Sequence, residues 1–197
     1  MRVFVAGASG VLGVCLVPLL VELGHEVAAM TRTPAKASML ASLGAEPVVC
    51  DVYDAGRLSE EVRSFRPDAV MHQLTDLPDD VGRIAEFAEA NRRIRGEGTS
   101  NLLDAARSAG ATHIVAQSVS WELSGEAARS ISEHEHAVLG AGGVVVRYGQ
   151  FYGPGTYYPT HRPNPPRVEV SEAARQSIGT LFAPPGTIVV INEAREP

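Results

Sequence analysis

The stretch that most constrains this chain is Gly7-Ala8-Ser9-Gly10-Val11-Leu12-Gly13, set between a short β run at 2–6 and an apolar, helix-length run at 11–23. Glycine spacing alone is weak evidence, but a glycine loop joining the first strand of an alternating chain to its first helix is specific. Little side chain at Gly7 and Gly10 lets the backbone turn tightly and approach a pyrophosphate, and Gly13 lets the helix pack close to the strand. Ser9, Val11 and Leu12 share the turn, while the helix N-terminus offers N–H donors and the positive end of its dipole. The loop predicts a dinucleotide cradle.

The rest of the chain repeats that alternation. Further β runs lie at 26–31, 47–50, 68–73, 113–117 and 143–148, with helix-length segments between them, the longest near 80–109. The runs lack polar alternation, as expected when both faces of a parallel sheet are covered. Pro18 is expected to kink the first helix, and Pro34 opens the second at the favoured first position. Residues 153–167, with five prolines, read as an irregular surface loop near the carboxyl edge of the sheet. A helix at 171–182 and a strand at 187–191 follow. The expectation is an α/β fold in a single domain over 1–197, a doubly wound Rossmann-type sheet, mostly parallel, of about seven strands.

A formal net charge of −6 gives no general attraction to nucleic acid or to an anionic membrane, so an anionic small molecule needs a local site. No apolar run approaches ~18 residues and no secretory leader is evident, so a soluble, cytoplasmic protein is expected. Cys15 and Cys50 sit in apolar company outside any metal-ligand spacing and read as buried thiols.

The end of the second strand discriminates between cofactors. An NAD site wants an acidic residue there to bond the ribose hydroxyls. This chain offers Thr31-Arg32-Thr33, with Lys36 a turn later. A guanidinium suits a 2′-phosphate, so NADP(H) is favoured over NAD(H).

With these residues in place the chain resembles the short-chain dehydrogenase/reductase superfamily, especially its extended branch of NAD-dependent epimerases and dehydratases. Gly7–Gly13 looks like that branch's GxxGxxG loop. Cys50-Asp51-Val52 resembles its adenine-contacting Asp and following hydrophobe. Met71-His72-Gln73-Leu74-Thr75 resembles the segment beneath the cofactor ribose, which places Gln73, Leu74 and Thr75 at the cofactor. Arg95-Gly96-Glu97-Gly98-Thr99 resembles the NxxGT motif, with Arg95 at the Asn position. Arg147 to Gly155 resembles the nicotinamide-side loop, which places Phe151 at the cofactor. The extended branch normally carries a sizeable substrate domain after this loop; here about a dozen residues replace most of it, implying a pocket that is small, shallow or completed by a partner chain. The resemblance also implies a possible homodimer through the helices near 80–109 and 124–140, with Ala127, Ala128, Ile131 and Val138 as an apolar seam.

The resemblance further implies a Tyr, with a Lys four residues later, as the proton relay that accompanies hydride transfer. Counting back from Glu135 puts Ala127 and Ile131 at those positions, and Lys36 is the chain's only lysine. Substitutes are Ser118 or Ser120 after the fifth strand, His134 on the face of Ile131, and Tyr148 or Tyr152 near the nicotinamide loop. His72 reads as a satisfied core histidine. His134 and His136 differ by about 200° around a helix, which excludes a chelating pair; no metal is expected. Three functions stay open: an NADP(H)-dependent reductase or epimerase/dehydratase acting on a small carbonyl or hydroxyl substrate, a non-catalytic redox sensor or scaffold, and a cofactor-independent cyclase or lyase.

Overall fold

A computed structural model describes residues 1–78 and 80–193. Seven strands form one parallel sheet: β1 (Arg2–Ala6), β2 (Glu26–Thr31), β3 (Glu46–Val49), β4 (Ala69–His72), β5 (His113–Val119), β6 (Val144–Tyr148) and β9 (Ile188–Ile191), in the order β3-β2-β1-β4-β5-β6-β9. The order reverses between β1 and β4, where Ala6 pairs with Met30 on one side and His72 on the other. In open α/β sheets a ligand crevice opens at such a reversal, beyond the carboxyl ends of the strands.

β1 shows why the strands carry no polar alternation. Val3 and Val5 enter one core and Phe4 and Ala6 the other, and all four are fully buried. The first core is covered by α1 (Gly13–Glu22) and α7 (Val170–Gly179), the second by α3 (Ala55–Phe65) and α5 (Thr99–Ser108). A side chain on either face of a central strand is removed from water, which contributes roughly 1.5–3 kcal/mol per large apolar group.

Local differences from the sequence reading have local causes. α1 continues through Pro18 as one helix. Pro34–Lys36 is a 3₁₀ turn that leads into α2 (Ala37–Ser42). The segment expected to be one long helix near 80–109 is a 3₁₀ stretch (Val81–Phe87), α4 (Ala88–Arg93), a π-helical turn (Ile94–Gly98) and then α5. Gly96 and Gly98, poor helix formers, lie within the widened turn, and a Cβ on Gly98 would meet Ile94 Cδ1 at 3.1 Å. Within 153–167 the chain is irregular up to Arg167, where a second, two-stranded parallel sheet begins: β7 (Gln150–Tyr152) pairs with β8 (Arg167–Glu169). Strands of three residues are too short to announce themselves by periodicity. Cys50 is buried, whereas Cys15 is only half-buried.

α6 (Gly125–Gly140) presents Ala127 outward but packs Val138 beneath β5 and β6 with Ala116 and Val145. Val138 is therefore core and not part of an exposed seam. No helix among the described residues is long and apolar enough to cross a membrane.

Candidate active site

The glycine loop is built by close approaches that only glycine permits. Gly7 has φ +89, and a Cβ on it would lie 2.6 Å from the Gln73 carbonyl oxygen. A Cβ on Gly13 would lie 2.5 Å from the Ala8 carbonyl oxygen, so α1 could not start where it does. Gly10 N–H donates to the Gly7 carbonyl at 3.0 Å, and the Ser9 and Thr31 hydroxyls, 2.9 Å apart, tie the loop to the end of β2.

This loop opens onto a groove of about 1410 Å³ along the carboxyl edge of the sheet. Gly7, Ser9, Gly10, Val11, Arg32, Asp51, Val52, Gln73, Leu74, Thr75 and Phe151 all line it, whereas Leu12 and Gly13 are buried beneath the loop. Gln73 is buried with its amide against the Tyr148 hydroxyl, and its amide oxygen lacks a hydrogen-bond partner among the described residues. A buried amide oxygen left without a donor at this edge and a cradle that a Cβ would fill both fit a dinucleotide. Residues 155–158 also line the groove, and the Tyr157 hydroxyl donates to the Pro78 carbonyl, so the shortened segment folds across it.

Arg32 does not stand alone. Its guanidinium grips Asp76 at 2.6 and 3.3 Å, and that bond is the main reason its pKa is raised. Lys36 Nζ lies 3.5 Å from the Ser9 carbonyl oxygen and makes no ion pair among the described residues. Asp76 had no sequence signal, because its role depends on Arg32, 44 residues away.

The proposed proton donors are nearly all engaged within the protein. Ser118, buried at the end of β5, donates to Glu135 Oε1 at 2.6 Å, and Arg147 holds both oxygens of that carboxylate at 2.8 and 2.5 Å. Burial alone would raise the Glu135 carboxyl, but the hydrogen bonds from Arg147 and Ser118 outweigh it and hold it below the ordinary carboxylate range. Ser120 points away and donates to Asn192 Oδ1 at 2.8 Å. Ser177 donates to the Ala173 carbonyl, so Tyr148 must donate to Ser177 Oγ at 2.7 Å; burial pushes its phenol up to about 12. Tyr152 donates to Glu193. Ser118 and Tyr148 line the groove; Ser120, Tyr152 and His134 do not.

His134, a candidate proton donor by sequence, is a core residue. It closes a chain of hydrogen bonds whose polarity is fixed at both ends. Leu74 N–H donates to His72 Nδ1 at 3.2 Å, so His72 Nε2–H donates to Thr99 Oγ1 at 2.9 Å. The Gln117 carbonyl can only accept, so His134 Nε2–H donates to it at 3.0 Å, and Thr99 donates to His134 Nδ1 at 2.9 Å. Both imidazoles are thereby held neutral. Burial, aided by the neighbouring ring, lowers His72 to about 3, and burial lowers His134 as well. His136, two residues on, is exposed on the other side of α6.

Ala127, which the family resemblance puts at the tyrosine position, lines the groove; Ser130, one turn further along α6, lines it too and escaped the sequence reading. Arg95 was legible only as a departure from the NxxGT pattern; it is half-buried in the π-helical turn and also faces the groove.

Residues 3–139 match the family model described as NAD dependent epimerase/dehydratase family. A 3-diazoavenalumate denitrifying reductase from a Streptomyces species is 37% identical over 182 residues, covering 80% of this chain and 59% of that protein. A 3-beta-hydroxysteroid dehydrogenase from Mycolicibacterium neoaurum is 32% identical over 120 residues, 58% of this chain and 31% of that protein. The chain thus spans well under two thirds of the length of these relatives. Among solved structures, the Thermus thermophilus UDP-glucose 4-epimerase complex with NAD superposes with a TM-score of 0.80 at 22% identity, over 99% of this chain and 78% of that one. The Bordetella bronchiseptica enzyme WbmH with NAD⁺ gives 0.77 at 16%, over 98% and 76%. Sheet order, glycine loop and sequence match agree: the chain belongs to the NAD dependent epimerase/dehydratase family.

Proposed function

We propose that this chain is an NADP(H)-preferring reductase that acts on a small electrophile whose reduction needs no proton from the protein. One observation carries the reading: the groove has lost its proton relay. Ala127 and Ile131 stand where the family's Tyr and Lys would be, and Ser118 and Tyr148 donate their hydrogens into the protein. Ser130 lines the groove, but an alkyl hydroxyl is far too weak an acid to supply a proton at neutral pH.

Reducing a carbonyl requires a hydride and a proton. Replacing the nitrogen of a diazonium by hydrogen requires only the hydride: a C–H bond forms, the C–N bond breaks, and its electron pair leaves with N₂. The name of the Streptomyces relative, a denitrifying reductase of a diazo compound, matches that requirement. The bound dinucleotide would supply the hydride, held by the Gly7–Gly13 loop, with Gln73 beneath it. Lys36 and the outward side of Arg32 would face the 2′-phosphate.

The test is calorimetry with NADPH and NADH, followed by turnover with 4-carboxybenzenediazonium and with 4-carboxybenzaldehyde, each corrected for the reaction without protein. NADPH should bind more tightly, and only the diazonium should be reduced, giving arene that carries deuterium from 4-deuterated NADPH. Reduction of the aldehyde at a comparable rate would refute the reading. Binding of NADPH with turnover of neither compound favours the sensor, for which the same missing pair also argues.

A further inference from the structure

We infer that Arg95, assisted by Ser130, holds the carboxylate of an aryl acid at the substrate end of the groove. The inference rests on the groove being the reductase site proposed above.

Five cationic side chains line the groove. Arg32 is paired with Asp76, Arg83 with Glu86 and Arg92 with Glu89. Lys36 lies at the dinucleotide end, beside the Ser9 carbonyl. Arg95 has no carboxylate within ion-pair distance among the described residues, although Arg92 and Arg93 on the same segment are both paired. It is also half-buried, and desolvation alone lowers its pKa, with no acid acting to raise it. A guanidinium withdrawn from water without a counter-charge is costly to the fold, and a bound anion would offset that cost.

Its surroundings identify the anion. Ser118, Ala127 and Ser130 line the same groove, and the π-helical turn that carries Arg95 packs against α6. Arg95 and Ser130, with Arg92, also line a second cavity of about 360 Å³ between the π-helical turn, α5 and α6, so both border the junction of the two spaces. A planar guanidinium fork matches a carboxylate through paired N–H bonds, and a serine hydroxyl adds a third donor. Trp121, Phe87, Tyr157 and Tyr158 supply flat apolar surface in the same groove for an aromatic ring. A chain of net charge −6 gives an anion no general attraction, so a local cation is required for one to enter.

The test uses cinnamate and its neutral isostere cinnamamide, titrated by calorimetry without turnover against the wild-type chain, Arg95→Met, Arg95→Lys and Ser130→Ala. Cinnamate should bind the wild type about tenfold or more tightly than the amide. Arg95→Met should erase that preference, Arg95→Lys keep part of it, and Ser130→Ala weaken it. Arg95→Met should also melt no lower than the wild type, since an unpaired cation is removed. Equal binding of acid and amide by the wild type, or a preference unchanged in Arg95→Met, would overturn the inference. NADPH titration of each chain separates this from the parent reading. Failure of the wild type to bind NADPH refutes the reductase, whereas intact NADPH binding with no carboxylate preference refutes only the role of Arg95.

Discussion

Ser118 Oγ donates to Glu135 Oε1 across 2.6 Å, and that bond decides what the serine shows to the groove. With its hydrogen turned into the protein, Ser118 offers only lone pairs to a ligand. It can accept from a hydroxyl or lie against a cationic centre, but it cannot donate to a carbonyl oxygen. The Arg147 guanidinium on the far side keeps Glu135 ionised and so keeps the serine in that orientation.

Glu135→Gln should therefore weaken the fold. Arg147 loses a counter-ion and Ser118 an ionised acceptor, at a cost of about 1–3 kcal/mol, reduced from the fully buried case because Arg147 is partly exposed. The Glu135 carboxyl is held below its unfolded value, so its contribution is present above that value, near pH 4.5, and lost as pH falls through the lower folded one. Urea unfolding at pH 7 and pH 4 checks this: the gap between wild type and variant should be smaller at pH 4 than at pH 7. A constant gap would show that the carboxylate's charge is not what matters.

The two buried histidines give a second pH signature. His72 titrates near 3 in the fold against about 6.5 in the unfolded chain. Below pH 6.5 the unfolded chain takes up a proton that the fold refuses, so stability falls with pH down to about 3. At pH 5 this amounts to roughly 2 kcal/mol from His72, and His134 acts in the same direction. His72→Gln should flatten the fall in unfolding free energy between pH 6.5 and 4.5 relative to the wild type. Parallel pH curves would mean that His72 is not held neutral.

How much of this was legible depended on whether a residue's role was local. The glycine loop and the seven large-sheet strands follow from neighbours in sequence: Gly7 must be glycine because the chain turns there, and Val3 and Phe4 are both apolar because both faces are covered. The loss of Tyr and Lys was equally visible, since Ala127 and Ile131 are read at fixed offsets from Glu135. His134 was not legible, because its partners Thr99 and Gln117 come from separate elements 35 and 17 residues away. The pairing of Arg32 with Asp76 was hidden for the same reason. Arg95 showed only as a broken motif, since the lack of a partner is a property of three-dimensional surroundings.

The glycine loop yields the sharpest contrast between fold and ligand. Gly7 and Gly24 both have positive φ, near +89 and +80, so an alanine at either suffers a backbone penalty of about 1–2 kcal/mol. They differ in what a Cβ would meet. At Gly24 nothing lies within 4 Å, whereas at Gly7 the Gln73 backbone stands 2.6 Å away and cannot yield without displacing the segment after β4. Gly24→Ala should lose only the backbone penalty and bind NADPH as the wild type does. Gly7→Ala should lose clearly more stability, and its NADPH affinity should drop by more than about tenfold as the Gln73 segment shifts. Gly10→Ala separates the two effects, since its Cβ would lie 3.3 Å from the Gly7 carbonyl oxygen, a contact that a small shift relieves. Because its φ is not positive it escapes the backbone penalty, so its stability should stay near that of the wild type, while NADPH binding should fall because the added methyl stands where the backbone must approach the pyrophosphate. Urea unfolding and NADPH calorimetry on the three variants decide the matter. If Gly10→Ala binds NADPH like the wild type, the loop is a structural turn and not the pyrophosphate cradle.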